Sequence, residues 1–132
     1  MLGLDKTWLS RYGVDANNIA GLIPFSGQMI NHFAYRKMNG IDNLQPTIDK
    51  YAPLYHVRKD AAHLVLITGD RNIELFGRYE ENAYMWRMMN LIGRPDTQLY
   101  ELGGYGHVAM AQPAFHILIQ TIHKMLGEKY NF

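Results

Sequence analysis

Cysteine is absent from the 132 residues. Disulfides, thiolate nucleophiles and cysteine-rich zinc sites are therefore excluded. No apolar run approaches the ~20 residues needed to span a bilayer, so no membrane association is expected. The opening Met1-Leu2-Gly3-Leu4-Asp5 lacks the basic and apolar regions of a signal peptide. Expressed as given, the chain is expected in the cytoplasm, and the compartment of any longer parent is left open. Charge of one sign is also scarce: 13 Lys and Arg stand against 12 Asp and Glu, for a formal net charge of +1. These charges are scattered, which removes the electrostatic case for nucleic acid or an anionic membrane surface. The six histidines show no HExxH spacing. His116 and His123 lie seven apart on the polar side of an expected helix, so neither metal nor cofactor is implied.

What is present is an ordinary globular composition, 48% apolar and 19% charged, sufficient for one domain with one core. Residues 5–12 read as the tail of a helix, with Gly13 at the left-handed capping position. Ile19 to Phe25 is a short apolar run without alternation, expected as a strand buried on both faces, with Pro24 at its end. The stretch from Gln28 to Arg58 is irregular, with a short helix expected within 29–38. It is too long for an ordinary connection and reads as a cap-like insertion. Leu64-Val65-Leu66-Ile67-Thr68 is the clearest strand, running into Gly69-Asp70. A helix is expected over 79–91, with a stripe of Tyr79, Ala83 and Trp86 beside Met85, Met88, Met89 and Ile92. Glu80 and Glu81 are expected to form its solvated first turn. Thr97 to Leu102 is a third strand. A glycine-rich loop holding His107 follows, then a helix from Pro113 whose Phe115, Leu118, Ile119, Ile122 and Leu126 have core-facing spacing. Strand, insertion, strand, helix, strand, loop, helix is the order of an α/β domain with a parallel sheet.

In open α/β sheets ligands bind beyond the C-terminal strand ends. Three loops leave strand ends here, carrying Ser26, then Asp70 with Asn72 and Glu74, then His107. An acid after one strand and a histidine after the next is an arrangement for general base catalysis. The carboxylate fixes the imidazole tautomer and stabilises the imidazolium. Gly103, Gly104 and Gly106 would let the His107 loop bend toward a pocket.

The segments Ile-Ala-Gly-Leu-Ile-Pro-Phe-Ser-Gly-Gln, Tyr-Ala-Pro-Leu-Tyr-His, Leu-Val-Leu-Ile-Thr-Gly-Asp-Arg, Gly-Arg-Tyr-Glu-Glu-Asn-Ala and Gly-Tyr-Gly-His occur in that order. Together they resemble the last three strands of α/β-hydrolases of the carboxylesterase and feruloyl-esterase-like branch, over about Leu2 to Leu126. The resemblance implies a partial α/β-hydrolase fold: the C-terminal portion of a serine hydrolase acting on a small-molecule ester, with chain order Ser, acid, His. It makes His107 the catalytic histidine and residues 28–58 the cap region. Two departures stand out. No G-x-S-x-G elbow occurs, so the family's nucleophile would lie upstream of Met1, together with its oxyanion-hole amides. The family's usual acid position, three residues after the strand-ending glycine, is Asn72, which carries no charge. Asp70, nearest the strand end, is the expected acid, with Glu74 as the other neighbour. Gly-Asp after a strand is also common turn chemistry.

Ser26 lacks the elbow's glycine pattern and is expected to be a turn serine. Tyr51, Tyr55 and Phe33 are candidates for an aromatic pocket or for simple packing of the insertion. Three functions compete. The chain is part of a carboxylic-ester hydrolase; or it is an inactive hydrolase module that self-associates through the exposed edge of its first strand; or a separate chain supplies the N-terminal half.

Overall fold

The computed structural model describes residues 1–127. Three parallel strands form a sheet in the order β1-β2-β3: β1 (Gly21–Leu22), β2 (His63–Gly69) and β3 (Gln98–Leu102). Four α-helices accompany them among the described residues: α1 (Thr7–Ser10), α2 (Phe33–Met38), α3 (Arg78–Leu91) and α4 (Ala111–Met125). The expected α/β class with a parallel sheet is what the chain adopts.

The central strand explains the layering. Side chains alternate faces along a strand, and β2 is apolar at every step from Leu64 to Ile67 because both faces are covered. Leu64 and Leu66 pack with Met85 and Met89 of α3 and with Leu4, Met29 and Leu54. Val65 and Ile67 pack on the other face with Met110 and with Ala114 of α4. One strand thus joins two cores, and Val65, Leu66 and Ile67 are completely buried.

Several elements differ from the sequence expectation. The strand expected over 19–25 is regular only at Gly21–Leu22, with a further parallel bridge at Phe25 opposite Ile67. Pro24 has no N–H to give to the ladder; its carbonyl accepts from Ile67 N instead, and pairing resumes with Ser26 N donating to Ile67 O at 2.7 Å. The helix of residues 5–12 shortens to α1, and Gly13 closes it at φ +70°.

The buried stripe of α3 is Arg78, Glu81, Asn82, Met85 and Met89. Met85 and Met89 lie in the core as expected, whereas Arg78, Glu81 and Asn82 take the place of the Tyr79–Ala83–Trp86 part of the stripe, and Glu81 is not solvated. The first turn of α3 faces the loop after β1, where polar partners are available, and only its later turns face the core. Helix α4 starts two residues before Pro113, and its expected core stripe is largely uncovered. Ala114 and Thr121 are its buried residues, whereas Phe115, Ile119, Ile122 and Leu126 are exposed.

Candidate functional site

The loops after the three strands converge at one rim. The loop after β2 makes a tight turn in which Ile73 N and Glu74 N both donate to Asp70 O. That turn folds Glu74 back beneath the strand end, where its side chain is fully buried. There Glu74 Oε2 accepts from Gly69 N at 3.1 Å and from Ser26 Oγ at 2.6 Å, while Oε1 accepts from Leu75 N at 2.9 Å. His107 Nδ1 lies 2.8 Å from Glu74 Oε1 and 3.0 Å from Ser26 Oγ. Burial pushes the Glu74 carboxyl up, but the bonds from Ser26, Leu75 and Gly69 and the nearby His107 outweigh it and hold the group below its usual range.

The proton assignment follows from this network. Ser26 gives its hydroxyl proton to Glu74, so its oxygen is free to accept. Nδ1 must then carry hydrogen, shared between Glu74 Oε1 and Ser26 Oγ. Nε2 keeps its lone pair, makes no hydrogen bond among the described residues, and belongs to a ring that is 38% exposed. The imidazole is therefore held in the tautomer a general base requires, with a carboxylate placed to stabilise the imidazolium. His107 borders an open cleft of about 710 Å³ whose walls include Leu22, Pro24, Ser26, Met29 and Arg78.

Expectation and structure part at the acid. Asp70 does not meet His107. Its Oδ2 accepts from Gly104 N at 2.8 Å and its Oδ1 from Asn72 N at 2.9 Å, and these two bonds, Gly104 first, hold its carboxyl below the usual range. Asp70 fastens one rim loop to the other. Asn72 is exposed, and its backbone serves that same turn. Glu74, the third candidate, is the carboxylate the fold brings to the imidazole. The reason is helical geometry in the turn: a residue four positions on returns above its starting point, whereas Asp70 itself is turned outward by its own capping bonds.

Ser26 is likewise more than a turn serine. It has φ +48°, the one non-glycine residue at positive φ among the described residues, a backbone state disfavoured for L-residues. It is 3% exposed, and its carbonyl accepts from the Arg78 guanidinium. The neighbouring Gly27 O accepts from Asn82 Nδ2 at 2.8 Å. The polar first turn of α3 therefore clamps the Ser26 loop in this conformation. The available signal was a hydroxyl residue followed by glycine directly at a strand end.

Two glycines make the rim possible. A Cβ on Gly69 would stand 2.4 Å from Tyr105 O and 2.9 Å from Glu74 Oε2, so only glycine lets the His107 loop and the acid meet here. Gly104 sits at φ +81°, and it is the bend among the three loop glycines that needs the left-handed region. A bidentate pair braces the rim from outside: Arg71 binds Glu101 at the end of β3 and lies 4.0 Å over the Tyr79 ring.

In the insertion, Tyr51 and Tyr55 are 45% and 60% exposed and border neither the cleft beside His107 nor a second cavity between the insertion and α3. Phe33 does border one. Asp49 accepts from Asn31 Nδ2 and Tyr35 Oη and so ties the insertion together. No protein-family profile, curated protein sequence or solved structure matches this chain.

Proposed function

We propose that this chain is the histidine- and acid-bearing part of a serine-type carboxylic-ester hydrolase with a partial α/β-hydrolase fold. His107 is its general base, Glu74 orients and stabilises the imidazolium, and Ser26 is a positioning residue. The observation that carries the reading is the Glu74–His107 contact at the C-terminal rim of parallel strands, with the strained Ser26 beside it. Strain at one buried serine is retained where the surroundings over-determine it, commonly at functional sites. The resemblance of the strand-end segments to carboxylesterases supplies the reaction type and the small-molecule ester substrate.

Ser26 is not the nucleophile in this scheme. It contacts Nδ1, the nitrogen that also faces the acid, whereas proton abstraction uses the lone pair on Nε2. The other serine, Ser10, lies on α1 and donates to Thr7 O. Hence a fluorophosphonate probe is expected to label neither serine, and p-nitrophenyl acetate should give no acyl-enzyme burst. Stoichiometric labelling of either would overturn the assignment.

The nucleophile then comes from a G-x-S-x-G segment read in frame ahead of residue 1 or from a separate chain. When such a segment is supplied, p-nitrophenyl acetate hydrolysis should appear. His107→Ala should reduce it about 10⁶-fold, the scale of removing the base in serine hydrolysis. Hydrolysis indifferent to His107 would sink the reading.

A second reading, a module that self-associates, is favoured by one feature. The exposed Phe115, Ile119 and Ile122 of α4, with Leu126 just past its end, form an apolar strip, and Leu118, Ile122, Met125 and Leu126 share a groove with Ala20, Gly21 and Ile23 at the β1 edge. An open strand edge beside an apolar strip invites a second copy. Light scattering should report a dimer or larger species that Ile119→Lys with Ile122→Lys converts to monomer. A monomer at high concentration before substitution would refute it.

A further inference from the structure

We infer that the cavity between the 28–58 insertion and α3 is a binding site for a small organic anion, a carboxylate carried on an apolar body. The cavity measures about 430 Å³, within the range of small-molecule sites. Phe33, Leu44, Pro46, Phe76 and Tyr84 give it apolar walls, and it shares Gln28, His32 and Arg78 with the cleft beside His107.

The charged groups around it decide the ligand. Arg78 is already satisfied, by Glu81 at 3.3 Å and by Ser26 O. Glu81 Oε1 serves Arg78 and Met29 N, and Arg36 acts on this carboxyl only from beyond ion-pair distance. Glu80 lies exposed at the cavity's edge. His32 lends Nδ1 to Ala34 N as a cap, so that nitrogen is unprotonated. Arg36 is different. It is only 4% exposed, yet among the described residues no carboxylate stands within ion-pair distance of it. Of the five N–H groups of a guanidinium, one reaches Gln45 O, and the buried Nε has no acceptor. Asp49, the acid of the insertion, spends its carboxylate on Asn31, Tyr35 and Tyr51 and makes no ion pair with Arg36 among the described residues. A buried cation without a counter-ion is costly unless something pairs with it. Arg36 borders the cavity, and a carboxylate is the ligand group that matches the guanidinium fork.

The inference goes beyond the hydrolase reading and does not need it, since binding requires no nucleophile. The full chain is titrated by calorimetry with benzoate and with benzamide, its neutral counterpart. Benzoate should bind at least about tenfold more tightly than benzamide, the scale of one charge-assisted pair, and Arg36→Gln should abolish the difference. Leu44 is 80% exposed at the cavity edge, so Leu44→Glu tests the charge without touching the core. It should weaken benzoate and spare benzamide, whereas Leu44→Lys should not weaken benzoate. Equal affinity for the two probes, or no benzoate binding in the millimolar range, would overturn the assignment.

Discussion

Glu74→Ala is expected to lower the unfolding free energy by about 3–5 kcal/mol, the scale for leaving several buried donors without their acceptor at roughly 1–3 kcal/mol each. The carboxylate accepts from Gly69 N, Leu75 N, Ser26 Oγ and His107 Nδ1, and alanine leaves all four donors without it. Against a total stability of roughly 5–15 kcal/mol for a domain, that change removes a large share. Asp70→Ala should cost far less, because Asp70 is a solvent-side cap for Asn72 and Gly104, and water can replace it there. Urea denaturation of the two variants measures the difference. Hydrogen exchange locates it, with faster exchange at Gly69 and Leu75 in the first variant and at Asn72 and Gly104 in the second. Equal costs for the two substitutions would contradict the geometry at the rim. In an assembled ester hydrolase the same contrast should appear in turnover. Glu74→Gln should lose about 10⁴, as when the carboxylate of a serine-protease triad becomes an amide, and Asp70→Asn should lose little.

The second large effect concerns Glu81 and pH. Burial raises its carboxyl from 4.5 to about 7, against the opposing pull of Met29 N, Arg78 and Arg36. The folded chain therefore holds a proton that the unfolded chain releases near pH 4.5. Stability from this group is complete below pH 4.5 and is lost as pH rises to about 7. The total is on the order of 3 kcal/mol. Glu81→Gln imitates the protonated carboxyl and keeps an oxygen for Met29 N. The variant should match the parent near pH 4.5 and exceed it by up to that amount at pH 8. His32 acts in the opposite sense. Burial first, then Arg78 and Arg36, lower its pKa below 6.5, so it contributes stability that is lost as pH falls. Its contribution is present in both proteins, so the difference between them isolates Glu81. A difference that does not change between pH 4.5 and 8 would show that folding leaves the Glu81 carboxyl unshifted.

Much of the architecture was legible because it depends on local pattern. The apolar run 64–68, the helix near 79–91 and the glycines before His107 each announce an element without help from distant residues. His107 was readable for the same reason, as a histidine in a bent loop beyond a strand. Asp70 and Glu74 could not be ranked this way. Both follow the same strand, and proximity in the chain favoured Asp70, but the turn's hydrogen bonds send one carboxylate outward and the other under Gly69. Met85, Met88, Met89 and Ile92 of the expected α3 face do pack at the core, but its first-turn part was misplaced because periodicity assumes an apolar partner. The first turn of this helix instead meets backbone carbonyls at Ser26 and Gly27, which select Arg78 and Asn82.

The sequence by itself determined the element types, the parallel α/β plan and the histidine at the rim, all of which follow from periodicity and glycine placement within a few residues. Only the tertiary structure decided that Glu74 is the imidazole's carboxylate, that Ser26 stands between them at positive φ, and that Glu81 and Arg36 are buried. Those outcomes rest on contacts across 33 to 81 residues of chain, such as Glu74–His107 and Ser26–His107. Local propensity carries no information about which donors will meet at such separations, and desolvation acts only once the loops have closed over the charge.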